Sequence, residues 1–123
     1  MKFVLRGNMN TLVEIALFTE EFDRAVEFYQ NLLGEEPEVR GANIAIFNLS
    51  GVHLLIHEKG EATAGMPPDA DHFAFGVRDL DATAGEVTQR GLQLALEPKQ
   101  YDWGRSAYLR DPDGRLVELS EKE

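Results

Sequence analysis

The feature that most constrains what this chain can fold into is a repeat within itself. Glu14-Ile15-Ala16-Leu17 is answered by His72-Phe73-Ala74-Phe75, a shift of 58 positions (14 to 72). Further on, the helix-closing Gly34 is answered by Gly91 and the turn glycine Gly51 by Gly114. A polypeptide of 123 residues can bury one core but is too short for two independent ones. The two segments are therefore expected to be paired halves of a single domain over 1–123, each with one apolar sheet face to cover.

The first half, over 11–58, opens with an alternation only a strand can use. Val13, Ile15 and Leu17 fall on one face, and Leu12, Glu14, Ala16 and Phe18 on the other. Phe22, Val26, Tyr29 and Leu33 then recur at helical spacing up to Gly34, which stands where a C-terminal cap belongs. Two strands are expected around Ala42 to Asn48 and Val52 to Glu58, joined at Leu49-Ser50-Gly51. Residues 59–71 are rich in Gly, Ala, Pro and acid and show no period, so they read as a linker.

The pattern restarts over 72–120. Asp71 to Val77 alternates, Asp79 or Asp81 offers an N-cap, and Leu80, Ala84 and Val87 line one side of a second helix ending near Gly91. Strands are expected around Leu92 to Glu97, Ser106 to Arg110 and Arg115 to Ser120. The expected class is α+β: two tandem βαβββ modules forming a cup-shaped, partly closed mixed sheet with its helices outside. Met1 to Asn10 reads as an extra edge strand or a loose arm.

Composition narrows the partners. The formal net charge is −10, with no basic stripe, so phosphate would be repelled and nucleic-acid binding is set aside. An acidic surface suits a neutral or cationic small molecule, or serves only solubility. The absence of cysteine excludes disulfides, thiolate nucleophiles and Cys-based zinc sites. No apolar run approaches the roughly 18 residues of a membrane span, and a cytoplasmic location is expected.

Three ionisable residues occupy strand positions inside otherwise apolar stretches: Glu14 between Val13 and Ile15, His72 before Phe73, and Glu118 between Val117 and Leu119. Their neighbours fix the helix-packed face, so strand parity sends all three to the opposite one. Two carboxylates and an imidazole turned into a sheet need a compensating cation, and a divalent metal ion is the simplest. The alternative is a hydrogen-bonded histidine with Glu14 on a solvated rim.

The stretch from Glu14 to Gly34, then His72 to Asp81, and Tyr108-Leu109-Arg110-Asp111-Pro112-Asp113-Gly114-Arg115-Leu116-Val117-Glu118-Leu119 resemble the vicinal oxygen chelate superfamily. That superfamily comprises glyoxalase I, fosfomycin-resistance thiol transferases, extradiol dioxygenases and bleomycin-resistance proteins. The resemblance implies that His72 and Glu118 are metal ligands, with Glu14 in the first-strand place usually held by His or Gln. Zn, Ni, Mn, Fe and Co all suit such a set. A fourth ligand found in glyoxalase I falls here on Leu55; His53 and His57 share its face and either contribute after a small register change or stand as partly exposed histidines beside a cavity.

The substrate pocket is expected to be lined by Phe18, Phe47, His53, His57, Trp103 and Tyr108. Tyr101, Trp103, Arg105 and Tyr108 cluster just before the Asp-Pro-Asp-Gly turn, where Tyr108 and Trp103 match pocket positions of the resembled proteins. The alternative is that Trp103 and the tyrosines fill core or a dimer interface. Glu14 and Glu118 are the candidates to move a proton. A metal-dependent lyase, isomerase or dioxygenase acting on a small molecule with vicinal oxygens is the implied activity, in a homodimer. The chain closes at Glu123, before the basic residues with which thiol transferases hold phosphonate, and this disfavours fosfomycin. The alternative is a metal-free module of the bleomycin-resistance type that sequesters a drug, with the aromatic loop and acidic surface suiting a cationic ligand.

Overall fold

The computed structural model describes residues 11–61 and 63–122; the edge strand or arm expected over 1–10 lies outside them. The elements run β1 (Leu12–Thr19), α1 (Phe22–Leu33), β2 (Val39–Arg40), β3 (Ile44–Leu49), β4 (Val52–Glu58), β5 (His72–Val77), α2 (Leu80–Gln89), β6 (Leu96–Tyr101), β7 (Gly104–Arg110) and β8 (Leu116–Glu121). This is βαβββ written twice. The eight strands form one mixed sheet in the order β2-β3-β4-β1-β5-β8-β7-β6, which does not close on itself.

By internal packing the described residues divide into two compact units, one within Glu14–His72 and the other made of 73–122 with 11–13. In the first, β1 runs parallel to β4, while β4, β3 and β2 are antiparallel neighbours. The β3–β4 hairpin turns on Ser50 (φ 55°) and Gly51 (φ 95°). Two successive positive φ values make the tight turn whose twist matches that of its strands. Helix α1 ends at Gly34 in the left-handed conformation, whose N–H donates to the Gln30 carbonyl. Its inner stripe, Phe22 and Val26, meets Ala45, Phe47, Leu54 and Ile56, with Ile15 and Leu17 of β1 packed alongside. Val26 and Ile56 are fully buried; each contributes about 1.5–3 kcal/mol of apolar burial.

In the second unit Asp79 caps α2, its side chain accepting from the Ala82 N–H at 3.0 Å. At the other end Gly91 (φ 91°) closes the helix: Leu92 N–H donates to the Val87 carbonyl and Gly91 N–H to that of Thr88. This double capping turn holds Leu92 outside any strand. The strand expected at Leu92 to Glu97 accordingly begins four residues later, at Leu96. It pairs with β7 through a register shift between Leu96 and Lys99 that encloses Pro98. The small core joins Val77 and Leu80 to Ala107 and Leu119. Between β5 and the start of β1 the approach is close, with Gly76 N–H donating to the Thr11 carbonyl at 2.9 Å.

Candidate metal centre

Because Ile15 and Leu17 pack toward α1, Glu14, Ala16 and Phe18 project from the other face of β1. The parallel register sets His53 beside Glu14, Leu55 beside Ala16 and His57 beside Phe18. Glu14, His53, His57 and Phe18 are all half-buried. The Phe18 ring lies against both His57 and His72, with centroids 5.5 and 6.0 Å away. Its backbone N–H donates to Asp71 Oδ1 at 2.8 Å, which pins the residue before His72 to β1. Within this unit a carboxylate oxygen of Glu14 and a ring nitrogen of His72 lie within 4.8 Å of each other.

His72 Nδ1 sits 2.8 Å from the Ala70 carbonyl oxygen. A carbonyl only accepts, so Nδ1 carries the proton and the lone pair falls on Nε2. Metal-bound histidines are held by the same device, a backbone carbonyl or carboxylate on the remote ring nitrogen.

Glu118 lies in the second unit, on β8, and is 4 % exposed. Tyr108 stands directly across from it on β7, and Ser106 is two residues along the same face. Ser106, fully buried, donates its O–H to Glu118 Oε2 at 2.6 Å. Trp103 in turn donates its indole N–H to Ser106 Oγ at 3.2 Å. The exposed Trp103 ring stacks on Tyr101, centroids 4.5 Å apart and planes 4° from parallel, and Tyr108 meets Tyr101 edge-on at 6.2 Å. Burial, and then the charge on Glu118, push the Tyr101 phenol above its usual range.

Glu14 and His72 are a pair of candidate metal donors within the first unit, and Glu118 is a further candidate donor, in the second. Two carboxylates and one imidazole are the donor chemistry that Zn, Mn, Fe, Co or Ni accepts, and His72 and Glu118 have the orienting hydrogen bonds such ligands carry. The residues present fit a divalent ion.

The expected pocket residues divide. Phe18, His53 and His57 share the face of Glu14, and Tyr108 shares that of Glu118. Phe47 does not belong with them: it pairs with Leu54 and is 1 % exposed in the core beneath α1. Strand parity on β3 sends it to the helix side, which corrects its assignment to the pocket. Arg105 is engaged by Asp81 on α2 at 3.1 Å and by Glu121 at 3.6 Å; these carboxylates hold its guanidinium. Ser106 was not anticipated from sequence, although its two-residue spacing from Tyr108 puts it on the face Tyr108 shares with Glu118.

Comparison with known proteins gives a match over residues 11–119 to the family described as Glyoxalase/Bleomycin resistance protein/Dioxygenase superfamily. A metallothiol transferase FosB of Shouchella clausii (strain KSM-K16) is 28% identical over 124 residues, covering 90% of this chain and 80% of the relative. A probable lactoylglutathione lyase of Synechocystis sp. (strain ATCC 27184 / PCC 6803 / Kazusa) is 24% identical, covering 90% of this chain and 92% of the relative. Among solved structures, a methylmalonyl-CoA epimerase of Streptomyces coelicolor superposes with a TM-score of 0.70 at 22% identity, over 93% of this chain and 95% of that one; this likeness is one of fold.

Proposed function

The chain belongs to the glyoxalase/bleomycin resistance protein/dioxygenase superfamily, and from that premise we propose that it is a metal-dependent enzyme acting on a small molecule with neighbouring oxygens, with Glu14, His72 and Glu118 as the ligands of one divalent ion. The observation that carries this reading is the pairing of a Glu14 carboxylate oxygen with a His72 ring nitrogen within 4.8 Å, supported by the orienting bonds that His72 and Glu118 receive from Ala70 and Ser106. The names of the relatives, a metallothiol transferase and a lactoylglutathione lyase, favour group-transfer or lyase chemistry over dioxygen cleavage.

A bound ion supplies Lewis-acid polarisation of substrate oxygens. The chain does the rest. Glu118, enclosed and bonded to Ser106, provides fixed negative charge. His72 is kept in one tautomer by the Ala70 carbonyl. Glu14 is the less enclosed carboxylate, with His53 beside it on β4, and is the group placed to take up or return a proton. Phe18, His53 and His57 share the face of Glu14 in the first unit, and Tyr108 shares that of Glu118 in the second; these side chains are the ones assigned to substrate contact.

Elemental analysis of the chain purified with Zn, Mn, Fe, Co and Ni supplied tests the reading. About one equivalent of metal is expected, falling to background in His72→Ala and in Glu118→Ala. No metal in the wild type, or retention in both variants, refutes it. A second reading, a metal-free module that binds a cationic drug such as bleomycin, is favoured by the exposed Trp103–Tyr101 stack and the net charge of −10. Stoichiometric drug binding by metal-stripped protein would support that one instead.

A further inference from the structure

Ser106 and Trp103 are unusual companions for a buried carboxylate. A serine hydroxyl has a single proton, and here it is given to Glu118 Oε2 at 2.6 Å, while the Ser106 oxygen is itself bonded by the Trp103 indole N–H at 3.2 Å. The direction is fixed at both ends, because an indole only donates and an ionised carboxylate only accepts. A chain of donors therefore runs one way, from a half-exposed ring (49 %) through a fully buried hydroxyl to Glu118. The outer end is steadied by the parallel stack on Tyr101, over whose ring Lys99 Nζ stands at 5.5 Å. Tyr108, edge-on to Tyr101, occupies the position across from Glu118.

We infer that Ser106 and Trp103 are positioning residues that set the orientation of Glu118 for metal binding, and that the aromatic stack reports its occupancy outward. The inference rests on the reading of Glu118 as a ligand. A carboxylate on the long side chain of Glu can rotate, and the hydroxyl bond at 2.6 Å selects one rotation before any ion arrives. Trp103 acts on Glu118 only through Ser106, so removing the indole N–H should loosen the hydroxyl without touching the ligand. Since this is the single tryptophan of the chain, its emission reads the outer end of the relay and nothing else.

The test titrates the metal-stripped chain with Zn2+ and with Mn2+ separately, against a competing chelator, and follows the tighter ion. Ser106→Ala should weaken affinity about 10- to 100-fold, the usual loss when a ligand's orienting partner is removed. Trp103→Phe keeps a ring for the stack and loses the donor; about two- to tenfold is expected, the size of one neutral hydrogen bond. The double variant should match Ser106→Ala alone, because the two act in series. Metal should change the Trp103 emission of the wild type and leave that of Ser106→Ala unchanged, while melting temperatures confirm that each variant is folded.

Affinity in Ser106→Ala within twofold of wild type overturns the inference, as does an emission change that survives in that variant or strict additivity of the two substitutions. If Glu118→Ala loses the metal and Ser106→Ala keeps it, the positioning role falls and the ligand assignment stands. If the wild type takes up neither ion, both fall.

Discussion

Replacing Gly76 by alanine tests how closely β5 is fitted against the start of β1. A methyl group built at Gly76 would meet Val13 Cγ1 at 2.7 Å and Lys122 Cγ at 3.5 Å. The second is an ordinary contact with a flexible chain; the first is closer than real carbon contacts allow. Val13 cannot yield easily, because a β-branched residue in a strand has little freedom at χ1. The opposite tendency, the gain from replacing glycine inside a strand, is about 0.5–1 kcal/mol. Overpacking of this kind costs about 1–3 kcal/mol. A contact as short as 2.7 Å with a stiff side chain belongs to the upper half, about 2–3 kcal/mol, so after an offset of about 1 kcal/mol the clash wins by about 1–2 kcal/mol.

Unfolding entropy near about 2.1 cal/mol/K per residue gives about 260 cal/mol/K for 123 residues, and the loss becomes a fall in Tm of about 4–8 °C. Differential scanning calorimetry on Gly76→Ala, Val13→Ala and the double variant reads it. The double variant should be more stable than the sum of the singles predicts by at least about 1 kcal/mol, since Val13→Ala removes the obstructing methyl. An unchanged or raised Tm in Gly76→Ala, or additive losses in the double variant, would show that the close approach does not constrain the strand pair.

Three further outcomes are expected. Ser50→Asn should raise Tm by about 1–3 °C, because Asn adopts the positive φ seen at Ser50 more readily than Ser and Asn-Gly is the preferred pair for this turn; a lower Tm would contradict it. Asp79→Ala removes the side-chain acceptor for Ala82 N–H and should cost about 1 kcal/mol, about 4 °C, with Asp79→Asn recovering most of it. Asp111 is held below the usual carboxylate range, chiefly by the Arg115 backbone N–H. A depressed folded pKa adds stability that is present above the unfolded value and disappears as pH falls through the folded one. Wild-type Tm should therefore drop more steeply below about pH 4 than that of Asp111→Asn; parallel curves would remove Asp111 from the acid response.

Much of this architecture was legible because each half states its fold locally. Alternation at Val13, Ile15 and Leu17, helical spacing at Phe22, Val26 and Leu33, and the left-handed glycines at 34, 51, 91 and 114 are short-range signals. Val39–Arg40 was missed because two residues cannot display alternation. The β6 boundary slipped because Leu92 and Leu94 look like strand residues, whereas Leu92 is held back by the turn its N–H makes with Val87. Glu14, His72 and Glu118 stood out as charges in apolar strands. Phe47 was misplaced because β3 carries apolar residues on both faces, Ala45 and Leu49 on one and Ile44 and Ile46 on the other, so alternation does not mark which face meets the helix; pairing with Leu54 decides it. The role of Ser106 depends on a hydrogen bond twelve residues along the chain, which no local pattern announces.

The outermost strands among the described residues have a consequence for how molecules of this protein meet at high concentration. At one margin β2 has only two residues, and at the other β6 bears Pro98, which has no N–H to offer, followed by Lys99 and a break in register. Neither presents the long, regular row of unpaired amides on which a neighbour's backbone could zip into a fibril. Self-association of this chain is accordingly steered to side-chain surfaces and away from backbone annealing.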